Sequence, residues 1–333
     1  MSALREWRAL GEKVVERVVM NTELHRHLDV SLRLSTLLEL AQKKGIEAQS
    51  TSLEGFREKF VLQKPLASLD AVLNQFTLFQ KVLDRPETLE RVAFEVIEDC
   101  WNEGTRQVEL RFSPLFVGEY NALSWDDILA SFERGLKRGL AAHPQMKAGF
   151  LCIASRDYGV DEVDRTVEFF LKNQTRFLGM DLAGSEDSFP CRAFEASFKK
   201  VVTVRANVTI HAGESGGPEN VWEAIELLGA QRIGHGIRSI EDPVLLRKLK
   251  EKQICLEVCP TSNWLTQCTP TFEGHPLARL LRAGVPVCIN TDDPTIFGTD
   301  LPREIKIAQR QMGLSSTEIG ECQQHAEDST FIL

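Results

Sequence analysis

Eight short apolar runs, each bounded by turn residues and most of them followed by a segment of helical periodicity, constrain this chain more than any other feature of its sequence. The first is VVMNTELHRHLD. The others are TRQVELRFSP (105–114), KAGFLCIAS (147–155), RFLGMDLAG (176–184), NVTIHAGE (207–214), RIGHG (232–236), QICLEVCPTSN (253–263) and VPVCINTDDP, which ends at Pro294. Continuous apolar runs, as opposed to alternating ones, belong to strands buried on both faces. Between them, WDDILASFERGLKRGLAA, PENVWEAIELLGA and DPVLLRKLKEK carry apolar residues at helical spacing.

Eight strands, mostly followed by helices, match an α/β fold of the closed (β/α)8 TIM-barrel type better than an open sheet. A doubly wound open sheet is the alternative. Its nucleotide-binding versions would show a G-x-G-x-x-G turn or a G-x-x-x-x-G-K-[ST] loop, and the sequence has neither. The stretch between the first two strands is too long for one crossover, and LRLSTLLELAQKKG and LASLDAVLNQFTLFQKVL read as extra helices. The expectation is one barrel domain over 1–333, with an N-terminal extension at 1–19. A lid-like helical insert over about 31–90 is expected after strand one, over the barrel mouth.

Composition narrows the classes of partner. With 39 basic and 48 acidic residues the net charge is −9 and no basic stripe is present, which argues against a nucleic-acid surface. The segment REWRALGEKVVERVV is too charged for a signal peptide, and no run approaches the 18 or so apolar residues of a membrane span. Eight cysteines scattered through a large apolar chain point to a reducing compartment, so a cytoplasmic location is expected, with no membrane partner. Cys255 and Cys259 lack a second cysteine pair to complete a zinc knuckle and read as core thiols.

The unusual polar residues share one end of the expected strands. His25, His27 and Asp29 follow strand one; Gly184, Ser185 and Glu186 follow strand four. His211 and Glu214 end strand five, His235 ends strand six, and Asp292 and Asp293 follow strand eight. In a barrel these positions converge on one mouth.

His25 and His27 sit two residues apart, so on a strand they point to the same side with Cα atoms about 6–7 Å apart. Two such imidazoles can each give a ring nitrogen to one Zn²⁺ at about 2.0–2.1 Å. With His211 and Asp292 they form a set of three histidines and one carboxylate suited to a single borderline-soft divalent ion. Taken alone, HxH is equally compatible with ordinary polar residues at a strand end. Either Asp292 or Asp293 could cap the following helix. Asp292 as ligand and Asp293 as substrate acceptor is the assignment adopted, with the reverse as its competitor. Strand four ends MDLAG without a lysine to bridge a second cation, which again argues for one metal per chain.

A metal of this kind lowers the pKa of bound water. His235, flanked by glycines, could take or position that proton, or simply be hydrogen-bonded in the core. Glu214, if partly desolvated, would have a raised pKa and could act as a neutral acid; its bland role is an acid ahead of the helix PENVWEAIELL.

HRHLD (25–29), DLAG (181–184), HAGE (211–214), GHG (234–236) and NTDDP (290–294), in this order and spacing, resemble the signature motifs of the adenosine deaminase family from about residue 20 onward. The resemblance implies a zinc-dependent deaminase in which His25, His27, His211 and Asp292 bind Zn²⁺. It implies that Glu214 donates a proton to purine N1 and that His235 holds or deprotonates the attacking water. Asp293 would meet N7, the Gly184 amide N3, and Asp29 the ribose 5′-hydroxyl. The implied substrate is a small-molecule purine nucleoside, adenosine or 2′-deoxyadenosine; adenine, a modified adenosine or aminofutalosine is the alternative. The acidic Asp29, with no evident basic clamp beside it, argues mildly against a 5′-phosphate. The sequence departs from the family at Val30, where glycine is usual, and at Ser185, where an acid often stands.

Overall fold

The strands form, and they close into a ring. In the computed structural model, which describes residues 21–65 and 76–333, they are β1 (Asn21–His27), β2 (Thr105–Phe112), β3 (Lys147–Ser155) and β4 (Gly179–Ala183), followed by β5 (Thr209–Ala212), β6 (Arg232–His235), β7 (Cys255–Val258) and β8 (Val287–Ile289). They pair in parallel as β1–β2–β3–β4 and β5–β6–β7–β8. Parallel bridges Met180↔Val208 and Arg26↔Asp292 join the two sheets at both seams. The fold is therefore a TIM barrel, as the strand–helix rhythm indicates. The second seam also ties chemistry to topology. His27 N donates to Asp292 O at 3.0 Å and Asp292 N to His25 O at 3.0 Å, so barrel closure itself brings the HxH strand beside the aspartate pair.

Short strands buried on every side explain the continuous apolar runs: β4 through β8 are buried along their whole length. The helices close the outside. Trp125–Ala142 starts at Ser124, whose hydroxyl accepts from Asp127 N, and buries Ile128, Leu129, Phe132, Gly135 and Gly139 along one stripe. Charges inside the barrel are paired. Arg232, fully buried, donates to Glu257 Oε1 at 2.7 Å and to Glu109 Oε2 at 2.5 Å. Beyond the last long helix (Ser316–Ser329), Phe331 places its ring 3.6 Å from the Arg232 guanidinium.

Several boundaries differ from the sequence reading. QICLEVCPTSN is a strand only to Val258; Pro260 then opens the helix Pro260–Leu265, as proline does at a first helical position. In the first run, Leu28–Val30 form a 3₁₀ turn, and residues 18–20 lie outside the described residues. Within 31–90 the described helices are Leu34–Lys43, Leu53–Phe60 and Thr77–Val82, while Pro86–Asn102 begins inside the expected insert and leads directly into β2. The expected extension at 1–19 and the 66–75 part of the second expected helix also lie outside the described residues. Val30 does not adopt positive φ, so valine replaces glycine in that turn without left-handed strain. All eight cysteines are free thiols, and Cys255 and Cys259 are buried. Among the described residues no helix is long and apolar enough to cross a membrane.

Candidate active site

A cavity of about 310 Å³ opens at the C-terminal ends of the strands. His27, Asp29, Gly184, His211, Glu214, His235, Asp292 and Asp293 line it, and His25 lies in its floor at 0% exposure. The structure thus brings together the nine residues given metal, catalytic or substrate-binding roles from the sequence.

Donor atoms of His25, His27, His211 and Asp292 all lie within 4.8 Å of one another. His25 Nε2 and His27 Nε2 are 3.3 and 3.2 Å from Asp292 Oδ1. Even so, buried His25 Nε2 has no hydrogen-bond partner. The two groups aim past each other at a shared point, which is how ligands of one cation are arranged. Burial raises the pKa of Asp292, but the neighbouring His25 and His27 outweigh it and hold the carboxyl well below its usual range. It is therefore an anion, as a ligand must be. Asp293 stands at the start of the helix Pro294–Phe297 but makes no side-chain cap. Its Oδ1 is buried without a partner, and burial plus the neighbouring Asp292 charge push its pKa well up.

The opposite ring nitrogens are anchored. His25 Nδ1 lies 2.8 Å from Glu257 Oε2 and His211 Nδ1 lies 3.0 Å from Asp181 Oδ1. Arg111, fully buried, bridges these carboxylates at 2.8 and 2.7 Å. Such contacts fix the rings with Nε2 free to coordinate. Gly234 lets the rings come close: a Cβ there would meet His25 Cε1 at 3.0 Å and the His211 Cα at 3.2 Å.

Glu214 is not a helix-capping acid, because its carboxyl turns into the cavity 3.5 Å from His235 Nε2 and 3.4 Å from Asn263 Nδ2. Burial raises its pKa well above the ordinary carboxyl value, and the charges of Asp292, Glu186 and Asp293 add to this, which favours the protonated acid. Burial holds His235 well below its usual pKa and hence neutral. His235 and Asp292 adopt φ of +59° and +65°, a left-handed conformation uncommon for non-glycine residues and concentrated at working sites. Asp29, pushed up to about 6 by burial, accepts from Ser113 N at 3.0 Å. Gly184 has φ +109°, and a Cβ there would fall 2.0 Å from Asp157 Oδ2.

This arrangement can bind a divalent cation and offer a buried acid, a histidine and a second carboxyl to one small molecule. The adenosine deaminase family model matches residues 21–333. The chain belongs to the adenosine deaminase family. It is 37% identical to the adenosine deaminase of Vibrio parahaemolyticus over 311 residues, 93% of each chain. Among solved structures it is similar to the adenine deaminase of Arthrobacter aurescens, with a TM-score of 0.86 and 24% identity over 94% of each chain. It is also similar to Arabidopsis ADAL complexed with GMP, with a TM-score of 0.80 and 28% identity over 94% of this chain and 92% of that one.

Family motifs located the cavity wall but not what supports it. Asp181 and Glu257 behind the histidines, Arg111 between them and Asn263 behind His235 all went unremarked. The signal for the first three was a charged residue inside an apolar strand. Asn263, on a short helix read as strand, gave none. Of the two phenylalanines in FTLFQ (76–80), Phe76 lines the cavity, while Phe79 is core, packed against Phe60. Glu186 accepts from the backbone N–H groups of Gly213, Glu214 and Ser215 at 2.7, 2.8 and 3.2 Å, pinning the loop that carries Glu214.

Proposed function

We propose that this chain catalyses zinc-dependent hydrolytic deamination of adenosine and 2′-deoxyadenosine, yielding inosine or 2′-deoxyinosine and ammonia. The observation that carries the reading is the juxtaposition of a four-donor cation cluster with a buried carboxyl, Glu214, in one cavity. His25, His27, His211 and Asp292 would hold one Zn²⁺; three imidazoles and a carboxylate suit that ion. When bound, the ion supplies acidity to a water and positive charge where negative charge develops.

The chain's own groups do the rest. Addition of an oxygen nucleophile to C6 places negative charge on the purine ring unless N1 gains a proton as the bond forms. Glu214, buried and raised in pKa, can give that proton. His235 faces the same space and would hold or deprotonate the attacking oxygen. Asp293, unpartnered and raised in pKa, can meet N7, and the Gly184 amide can approach N3. Asp29 would meet the ribose 5′-hydroxyl.

A related aminopurine is the second reading, favoured by the likeness to ADAL with its bound GMP. Against a nucleotide, no lysine or arginine lines the cavity among the described residues, whereas Asp29 and Asp157 do. We take residues 1–333 as one barrel domain with the helices after β1 as its cover. We place it in the cytoplasm, where eight free thiols would stay reduced, acting on a small molecule without nucleic acid or membrane. The test is an absorbance assay on adenosine, deoxyadenosine, adenine, AMP and aminofutalosine, with and without chelator. Fastest turnover of the two nucleosides, lost on chelation, is expected; preference for another member of the panel would replace this reading.

A further inference from the structure

Two side chains outside the cavity, His275 and Asn263, connect a backbone amide to His235. We propose that the backbone N–H of Leu277 sets the tautomer of His235 through His275 and Asn263, so that His235 presents a hydrogen-bond donor and not a base to the reacting face. The proposal rests on the functional reading above only in giving His235 a reacting oxygen to face.

The chain of contacts begins at a group with one possible role. Leu277 N lies 3.1 Å from His275 Nδ1 and can only donate, so Nδ1 accepts and a neutral ring carries its proton on Nε2. His275 is 3% exposed. Burial, with Arg279 nearby, pushes its pKa down to about 3, so the ring is neutral near pH 7. Its Nε2–H donates to Asn263 Oδ1 at 3.2 Å, which fixes the orientation of the amide. At the other end, Asn263 Nδ2 lies 3.1 Å from His235 Nδ1 and 3.4 Å from Glu214 Oε1. Its two N–H groups serve both. An amide nitrogen only donates, so His235 Nδ1 accepts and the proton of this ring also sits on Nε2. That nitrogen faces the cavity, 3.5 Å from Glu214 Oε2 and 3.9 Å from Asp292 Oδ2.

The opposite amide orientation fails at the far end of the relay. It would set Asn263 Nδ2 against His275 Nε2, forcing the His275 proton onto Nδ1 and pointing it at Leu277 N–H. Two donors would then face each other in a buried site, leaving both unpaired. The consequence for His235 is specific. A neutral ring with its proton on Nε2 has no lone pair there to receive a proton, so His235 orients the attacking oxygen by donating to it. Asn263 and His275 are positioning residues, and Asn263 holds the acid and the histidine with one amide group.

The test reads the tautomer directly. Metal-loaded protein labelled with ¹⁵N-histidine is measured near pH 7 by two-bond ¹H–¹⁵N correlation, alongside Asn263→Asp and His275→Phe. In the unsubstituted protein both His235 and His275 should carry the proton on Nε2. In Asn263→Asp a carboxylate accepts at both oxygens, so His235 should move its proton to Nδ1. There kcat should fall by about 100-fold or more, as when a catalytic histidine is held in its wrong tautomer. KM should stay within about threefold, and metal content should not change. His275→Phe releases the amide, giving a mixture of His235 tautomers and a smaller loss of kcat. A His235 proton on Nδ1 in the unsubstituted protein, or retained wholly on Nε2 in Asn263→Asp, overturns the proposal. Correct tautomers in a protein that does not deaminate adenosine would leave the relay standing and sink the functional reading instead.

Discussion

Asp181 holds His211 from behind: its Oδ1 lies 3.0 Å from His211 Nδ1, while its Oδ2 accepts from Arg111 at 2.7 Å. Burial alone would raise this carboxyl, but His211 and Arg111 outweigh it and keep the group ionised. Asp181→Asn preserves shape yet sets an amide N–H against one of these donors. We expect metal affinity to fall by about 10–100-fold, the usual effect of removing such a support. Chelator competition measures it; unchanged affinity would show that Asp181 serves packing alone.

Glu214→Gln separates the acid from the cation cluster. The side chain keeps its size and its contacts to Asn263 and Thr266, and it touches none of the four donors closely enough to count among them. Loss of a positioned acid typically costs about 10²–10⁴-fold. We expect kcat for adenosine to drop by that order with one metal ion still bound per chain. A metal-replete variant with near-normal turnover would remove Glu214 from the acid role.

How much of this was legible beforehand depends on how local the signal is. KAGFLCIAS reads as a strand and is one from end to end, because nine residues with no proline and a single glycine leave one pattern. The catalytic mouth was legible because a polar residue ending an apolar run marks where a strand leaves the barrel. PTSN was misread as strand because four residues starting at a proline are too few to show a period. The polar floor was illegible for another reason. Arg111 meets Asp181 across 70 residues and Glu257 across 146, and only barrel closure makes them neighbours. A charged residue inside an apolar strand says that a partner exists without saying which.

The outer cavity predicts discrimination against phosphate. Asp29 and Asp157 line it, Ser113 N already donates to Asp29, and no lysine or arginine lines it among the described residues. A 5′-phosphate would bring two negative charges toward these carboxylates, and like-charge juxtaposition costs several kcal/mol. We expect kcat/KM for AMP at least about 100-fold below that for adenosine. Asp29→Asn should narrow the ratio. Equal use of both substrates would place an unrecognised cation at the cavity mouth.

Glu304 predicts a pH dependence of stability away from the catalytic groups. It is fully buried and accepts from Thr261 N at 3.0 Å and from the Thr299 hydroxyl. It thereby anchors the start of the helix that carries Asn263 and Thr266. Burial raises its pKa from 4.5 to about 7, against the lowering effect of those hydrogen bonds. The folded state therefore binds a proton that the unfolded chain gives up near its ordinary carboxyl pKa. The contribution to stability is fully present below pH 4.5, declines above it and is lost once pH passes about 7. Over that span the change is about 3 kcal/mol, at roughly 1.4 kcal/mol per pKa unit. Glu304→Gln cannot ionise and can still accept from Thr261 N while donating to Thr299. Its stability relative to the unsubstituted protein should therefore rise from pH 5 to about pH 7 and level off by pH 8, as measured by urea unfolding at each pH. Parallel stability curves for the two proteins would show that Glu304 stays ionised in its buried site.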